Sequence, residues 1–169
     1  MPNTFTLIAS STVGAGGAAS IDFTSISGSY TDLLLKVSAR GTATRASSGY
    51  YFNITLNTLT TNQTSRYVNG NGSAAQSGSF TRIFGYCVPS DDTANTFSNS
   101  EFYFPNYAGS TNKSVSLDAV NENNATLADS SLQAGLWSST AAITSIGLVP
   151  AGGNFAQYST AYLYGIIKS

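Results

Sequence analysis

Tyr50-Tyr51-Phe52-Asn53-Ile54-Thr55-Leu56-Asn57 decides the fold class. Phe52, Ile54 and Leu56 alternate with Asn53, Thr55 and Asn57, a period of two. Side chains of a β-strand point alternately to opposite faces, so this pattern places one face in a core and the other in solvent. The same alternation recurs along the chain. It appears at Phe5 and Leu7, Ile21 and Phe23, Leu33 to Ala39, Phe102 and Phe104, and Val115 to Ala119. No window of comparable length carries a helical repeat.

Three further runs are less regular. Phe80 to Tyr86 mixes both faces. In Ala141 to Val149 the parity shifts between Ile143 and Ile146, which predicts a bulge near Ser145 or Gly147. Tyr158 to Ile167 is apolar on both sides, as in a central strand or one facing another subunit. Turn signals at Gly14-Ala15-Gly16-Gly17, Asn69-Gly70-Asn71-Gly72 and Gly152-Gly153-Asn154 punctuate the runs. About nine or ten strands at this spacing predict an all-β, antiparallel, jelly-roll-like sandwich. Residues 41–49, 58–79, 87–97, 105–113 and 121–131 read as polar connections, and Leu132 to Trp137 as a turn or short strand. The chain reads as one domain over 1–169.

Composition restricts the chemistry. Asp, Glu, Lys and Arg make up 9% of the 169 residues, against about 25% in an ordinary soluble domain. Ser, Thr, Asn and Gly fill close to half the chain. The 10 Tyr and 9 Phe separate it from disordered chains, which are poor in aromatics. A net charge of −1 with scattered cations offers no basic face for nucleic acid. No apolar run approaches the roughly 20 residues of a membrane helix. The first residues lack the charged start and apolar stretch of a signal peptide. The sequons at Asn53, Asn62, Asn71, Asn112 and Asn124 are ordinary in an Asn/Thr-rich chain.

With no His, the chain holds neither a Ser-His-Asp triad nor a histidine metal ligand. Cys87 is alone and reads as a small hydrophobe. Asp91, Asp92, Glu101, Asp118, Glu122 and Asp129 are the carboxylates from which a glycosidase pair would have to come. Asp22, Asp32, Glu101 and Asp118 sit on polar strand faces, and Asp91-Asp92 in a turn that lacks the spaced ligands of a calcium loop. Catalytic, cofactor and metal residues are therefore expected to be absent. Tyr51 and Tyr103 on outward faces, with Tyr67 and Tyr107 in or near loops, are candidate glycan or subunit-contact aromatics.

Phe5-Thr6-Leu7-Ile8, Ile21-Asp22-Phe23-Thr24-Ser25-Ile26 and Tyr30-Thr31-Asp32-Leu33 resemble small β-sandwich virion proteins of tailed bacteriophages. So do Asn121-Glu122-Asn123-Asn124-Ala125-Thr126, Ala134-Gly135-Leu136-Trp137 and Tyr162-Leu163-Tyr164-Gly165-Ile166. The resemblance implies a jelly roll serving as a capsid decoration (cement) protein or as a tail-fibre, receptor-binding domain that recognises a host glycan. It carries no catalytic residues. The lack of a shaft or coiled-coil pattern favours decoration. That role implies a homotrimer on the major capsid protein, located on the virion after synthesis in the host cytoplasm. Pro2, Asn3, Thr4, Phe5, Thr6, Leu7 and Ile8 form the candidate capsid-docking segment.

Overall fold

In a computed structural model, which describes residues 4–124 and 128–167, the chain is a β-sandwich of two antiparallel sheets. Twelve strands are seen among the described residues: β1 (Phe5–Thr12), β2 (Ile21–Phe23), β3 (Asp32–Ser38), β4 (Tyr51–Leu56), β5 (Gln63–Gly70), β6 (Ala75–Phe80), β7 (Phe84–Tyr86), β8 (Asn99–Pro105), β9 (Lys113–Asn121), β10 (Asp129–Trp137), β11 (Ile146–Pro150) and β12 (Thr160–Ile166). The larger sheet runs β1-β12-β3-β8-β9-β10-β5-β6, and the smaller β2-β11-β4-β7. A 3₁₀ turn, Arg45–Ser47, interrupts the loop before β4.

The alternating apolar residues meet between the sheets. Phe52, Ile54 and Leu56 of β4 and Ile146 and Leu148 of β11 face Leu33, Leu35, Phe102, Leu117 and Leu163 of the large sheet in one buried cluster. Gly85 of β7 lies where a Cβ would come within 2.9 Å of the Phe102 ring and closer still to Phe52, so the interior there has room only for glycine.

One cross-strand row of the large sheet shows how the interior changes character. From β12 to β6 it reads Leu163, Leu35, Phe102, Leu117, Gln133, Tyr67, Gly78. The row is apolar from β12 to β9 and turns polar from β10 onward. Gln63, Ser65, Ser131 and Gln133 are nevertheless buried.

The partners of Gln63, Ser65 and Gln133 explain this, whereas the Ser131 hydroxyl has no hydrogen-bond partner among the described residues. β7 is an edge strand of the small sheet. Along residues 82–87 it has backbone groups that no neighbouring strand pairs. Side chains of the large sheet take them up. Ser65 Oγ donates to the Arg82 carbonyl (2.8 Å) and Gln133 Nε2 to that of Phe84 (3.1 Å). Gln63 Oε1 accepts the Ile83 N–H (3.0 Å) and Ser100 Oγ that of Tyr86 (3.2 Å). Ser98 Oγ donates to the Tyr86 carbonyl, and Asn121 Nδ2 to that of Cys87 (3.3 Å). An open edge is a template for unwanted pairing, and a buried unpaired backbone group costs about 1–3 kcal/mol. Neutral amides and hydroxyls remove both problems here.

Several expectations are corrected. Residues 63–70 and 75–80 lie in the region read as a polar connection, yet they form β5 and β6. Leu132 to Trp137 belongs to the nine-residue strand β10, inside the large sheet. No register shift occurs at Ser145 or Gly147. Strand β11 starts at Ile146, and the Thr144 and Ser145 N–H groups before it donate to Asn57 Oδ1 at 2.8 and 3.2 Å. The shift in register lies instead between Leu7 and Ala9, on the edge strand β1. The two-sided run Tyr158 to Ile167, by contrast, agrees with its reading as a central strand: it contains β12, an interior strand between β1 and β3. The described residues contain no helix long and apolar enough to cross a membrane.

Candidate functional site

Two surfaces stand out. The first is the outer face of the large sheet, turned away from the core. One of its cross-strand rows reads Leu7, Tyr164, Leu34, Tyr103, Ser116, Ala134, Arg66. The next reads Ser10, Tyr162, Lys36, Glu101, Asp118, Leu132, Val68. Leu132 is 63% exposed, Val68 55%, Phe5 54% and Leu7 51%. Between β8 and β5 this face dips into an open depression of about 560 Å³, lined by Tyr103, Arg66, Glu101, Asp118, Val68 and Leu132 among others.

Charge on this face is held locally. Lys36 Nζ lies 2.7 Å from Glu101, and that contact holds the ammonium proton more tightly than usual. Both groups are well exposed, so the pair contributes little to stability. The Tyr103 hydroxyl donates to Asp32 (2.8 Å), which raises the phenol above its ordinary value. Glu101 and Asp118 stand directly opposite one another on β8 and β9. Among the described residues no three acidic or cysteine side chains are grouped to hold a metal ion.

The second surface is aromatic. Where the small sheet ends at β7, Phe84 meets Tyr51 and Tyr86 on one side and Tyr67 and Phe80 of the β5–β6 hairpin on the other. Tyr67 and Phe80 stack at 5.3 Å with 22° between planes. Phe80 meets Phe84 edge-on at 5.0 Å, and Tyr50 meets Tyr51 edge-on at 4.8 Å. Such pairs contribute about 0.5–1.5 kcal/mol beyond their buried area. Tyr50, Tyr51, Phe80, Arg82 and Phe84 enclose a cleft of about 50 Å³. Arg82 reaches over the Tyr51 ring (5.9 Å to its centre) and donates to Asn53 Oδ1 (3.3 Å).

Beside the cleft, Arg45 ties loops together. It lies over Tyr50 at 5.6 Å and contacts Asp92 at 2.8 Å and Asp129 at 3.7 Å. Asn123 Nδ2 also donates to Asp92, at 2.7 Å. Tyr86 is buried here, and burial together with the nearby Asp129 charge pushes its phenol up to about 12. The ordinary value is near 10. The folded state thus holds this proton more tightly than the unfolded chain. Its contribution to stability is present below pH 10 and is lost as pH rises from about 10 to about 12. Urea midpoints followed from pH 8 to 12 should fall across that window, and Tyr86→Phe should flatten part of the fall. An unchanged profile in the variant would refute this assignment.

The four candidate tyrosines separate. Tyr103 lines the depression, Tyr51 lines the cleft, and Tyr67 supports the cleft from behind Phe80. Tyr107 is not a surface aromatic. It is fully buried, and its hydroxyl donates to the Ser27 carbonyl, because the 105–113 connection folds its ring into the core. Thr4 precedes the outermost strand, and Phe5, Thr6, Leu7 and Ile8 begin that strand, with Phe5 and Leu7 on the outer face. Pro2 and Asn3 lie outside the described residues. The sequence reading missed Tyr50, Phe80 and Arg82; the adjacent aromatics Tyr50-Tyr51 were the available signal.

No protein-family model matches the chain, and no curated protein matches it.

Proposed function

We propose that this chain is a non-enzymatic structural protein of a phage virion, a decoration protein that bridges major capsid subunits. The observation that supports this reading best is the outer face of the large sheet. Leu132 and Val68 toward one end of it, and Leu7 and Phe5 at the other, are each more than half exposed, with Lys36, Glu101 and Asp118 on the strands between them. Large exposed apolar side chains sharing one face mark protein contact. The proposed assembly has closed symmetry, the usual state of such subunits, and the resemblance to phage virion proteins implies that it is a homotrimer. The mechanism is mechanical: each copy adds association energy across a joint between capsid subunits.

The docking energy comes from apolar burial at about 25 cal/mol per Å² and from hydrogen bonds between neutral groups. It therefore varies little with salt. Leu132→Asp combined with Val68→Asp should reduce copies per particle by about tenfold or more, because an unfavourable charge replaces about 1.5–3 kcal/mol of burial at each contact. Copy number on purified particles is the measurement, with circular dichroism confirming the fold. Full occupancy by the double variant, or release of the wild type by moderate salt alone, would overturn the proposal. Phe5→Asp with Leu7→Asp tests the N-terminal segment in the same way.

A further inference from the structure

We infer that the cleft formed by Tyr50, Tyr51, Phe80, Arg82 and Phe84 binds a pyranose that bears a carboxylate, as in a uronic-acid polymer. The inference goes beyond the decoration reading and does not rest on it.

Three observations carry it. The first is charge. Two guanidinium groups flank the cleft, and they differ. Arg45 is already matched by Asp92 and Asp129. The described ion pairs engage Lys36 and Arg45, while Arg82 donates to the neutral amide oxygen of Asn53 and lies over the Tyr51 ring. The cleft therefore presents one cation without a carboxylate. A guanidinium matches a carboxylate in shape as well as charge.

The second observation is size. The enclosed volume is about 50 Å³. Sites that take up a whole small molecule enclose about 300–1,000 Å³. The enclosed part thus admits a carboxylate group and excludes a whole sugar ring, which has to lie across the opening.

The third is the rim. Phe80 stays 42% exposed even though Tyr67 stacks on one of its faces and Phe84 meets it edge-on. A pyranose packs its axial C–H groups against such a ring. Its hydroxyls then reach polar groups at the same rim, where Tyr50, Tyr51 and Asn53 are only half-buried. An acidic peptide would satisfy Arg82 equally well but has less use for a flat, exposed ring beside it. A sugar uses both.

Calorimetric titration of the full chain with a tetrasaccharide of glucuronic acid, a neutral glucose tetrasaccharide, a sulfated glucose oligosaccharide and a short glutamate peptide tests this. The uronide should bind at least about tenfold more tightly than the neutral sugar, a difference of about 1.4 kcal/mol. Raising the salt should weaken it. Arg82→Gln should lose about tenfold in affinity and Arg82→Lys less. Phe80→Ala should lose several-fold without loss of fold, since Phe80 is exposed. Arg66→Gln, a cation on the opposite face, should bind as the wild type does. The inference is overturned by equal affinity for neutral and acidic sugars, by no uronide binding at millimolar concentration, or by Arg82→Gln binding unchanged. Arg82-dependent binding of the glutamate peptide in preference to the uronide would overturn it in favour of a peptide partner, and the sulfated sugar in preference would overturn the carboxylate. Each of these failures leaves occupancy on particles untouched, so it is distinguishable from failure of the decoration reading.

Discussion

Phe52→Ala should destabilise the chain by about 3–5 kcal/mol, the range for deleting a buried aromatic ring. Phe52 is fully buried on β4, an interior strand of the small sheet, and its ring spans the gap to the large sheet. It meets Phe102 with ring centres 6.0 Å apart and Phe155 at 5.7 Å. The side chain thus touches the opposing sheet and the 151–159 loop together. Collapse around the missing ring is hindered, because Phe102 is held on β8 between β3 and β9. Gly85 lies against the same ring and has no side chain to fill the space. The cost should therefore fall at the upper end of the range. Phe52→Leu keeps most of the volume and should cost about half as much. Urea unfolding of both variants checks the order. A loss under about 1 kcal/mol for alanine would show that the two sheets do not depend on this contact.

What could be read in the sequence follows the apolar face. Where a strand lies between β12 and β9, its inward residues are mostly Leu, Val, Phe or Ala, and period two shows it at once. β3, β8 and β9 are legible for that reason. β5 and β10 also alternate, but their inward positions are Gln63, Ser65, Ser131 and Gln133, which in a sequence look the same as solvent-facing residues. For Gln63, Ser65 and Gln133 only the partner reveals the direction, and that partner is the backbone of residues 82–84, unknowable from local pattern. Arg40 shows the same limit. It reads as one of seven scattered cations, yet its guanidinium donates to the carbonyls of Ser90, Asp92, Thr93 and Thr96 and holds the 90–96 loop. Of the candidate tyrosines, Tyr51 and Tyr103 lie on strands whose alternation could be read. Tyr107 lies in a connection, where no periodicity fixes the direction of a side chain.

The scarcity of charge has a structural counterpart in the edge of β7, and Gln63 tests it most sharply. This side chain is 3% exposed. Its Oε1 accepts the Ile83 N–H, while its Nε2 donates to the carbonyls of Ile54 (3.1 Å) and Leu59 (3.2 Å). One amide thus joins β5 to the start of β7, to β4 and to the turn between β4 and β5. Met has nearly the same shape and no hydrogen-bonding equivalent. Gln63→Met should therefore cost about 2–3 kcal/mol, mostly from leaving the Ile83 N–H buried without a partner. Glutamate keeps the acceptor but loses the donor and buries a charge, so Gln63→Glu should cost more than methionine at pH 7. Burial raises the introduced carboxyl above its unfolded value of about 4.3. A raised value means the folded state binds the proton more tightly, so the glutamate variant should regain stability as pH falls toward 4 and lose it as pH rises. The methionine variant has no such group and should follow the wild-type profile. Urea midpoints of the three proteins between pH 4 and 8 separate these outcomes. Equal stability of all three at pH 7 would mean that water, not Gln63, satisfies the edge of β7.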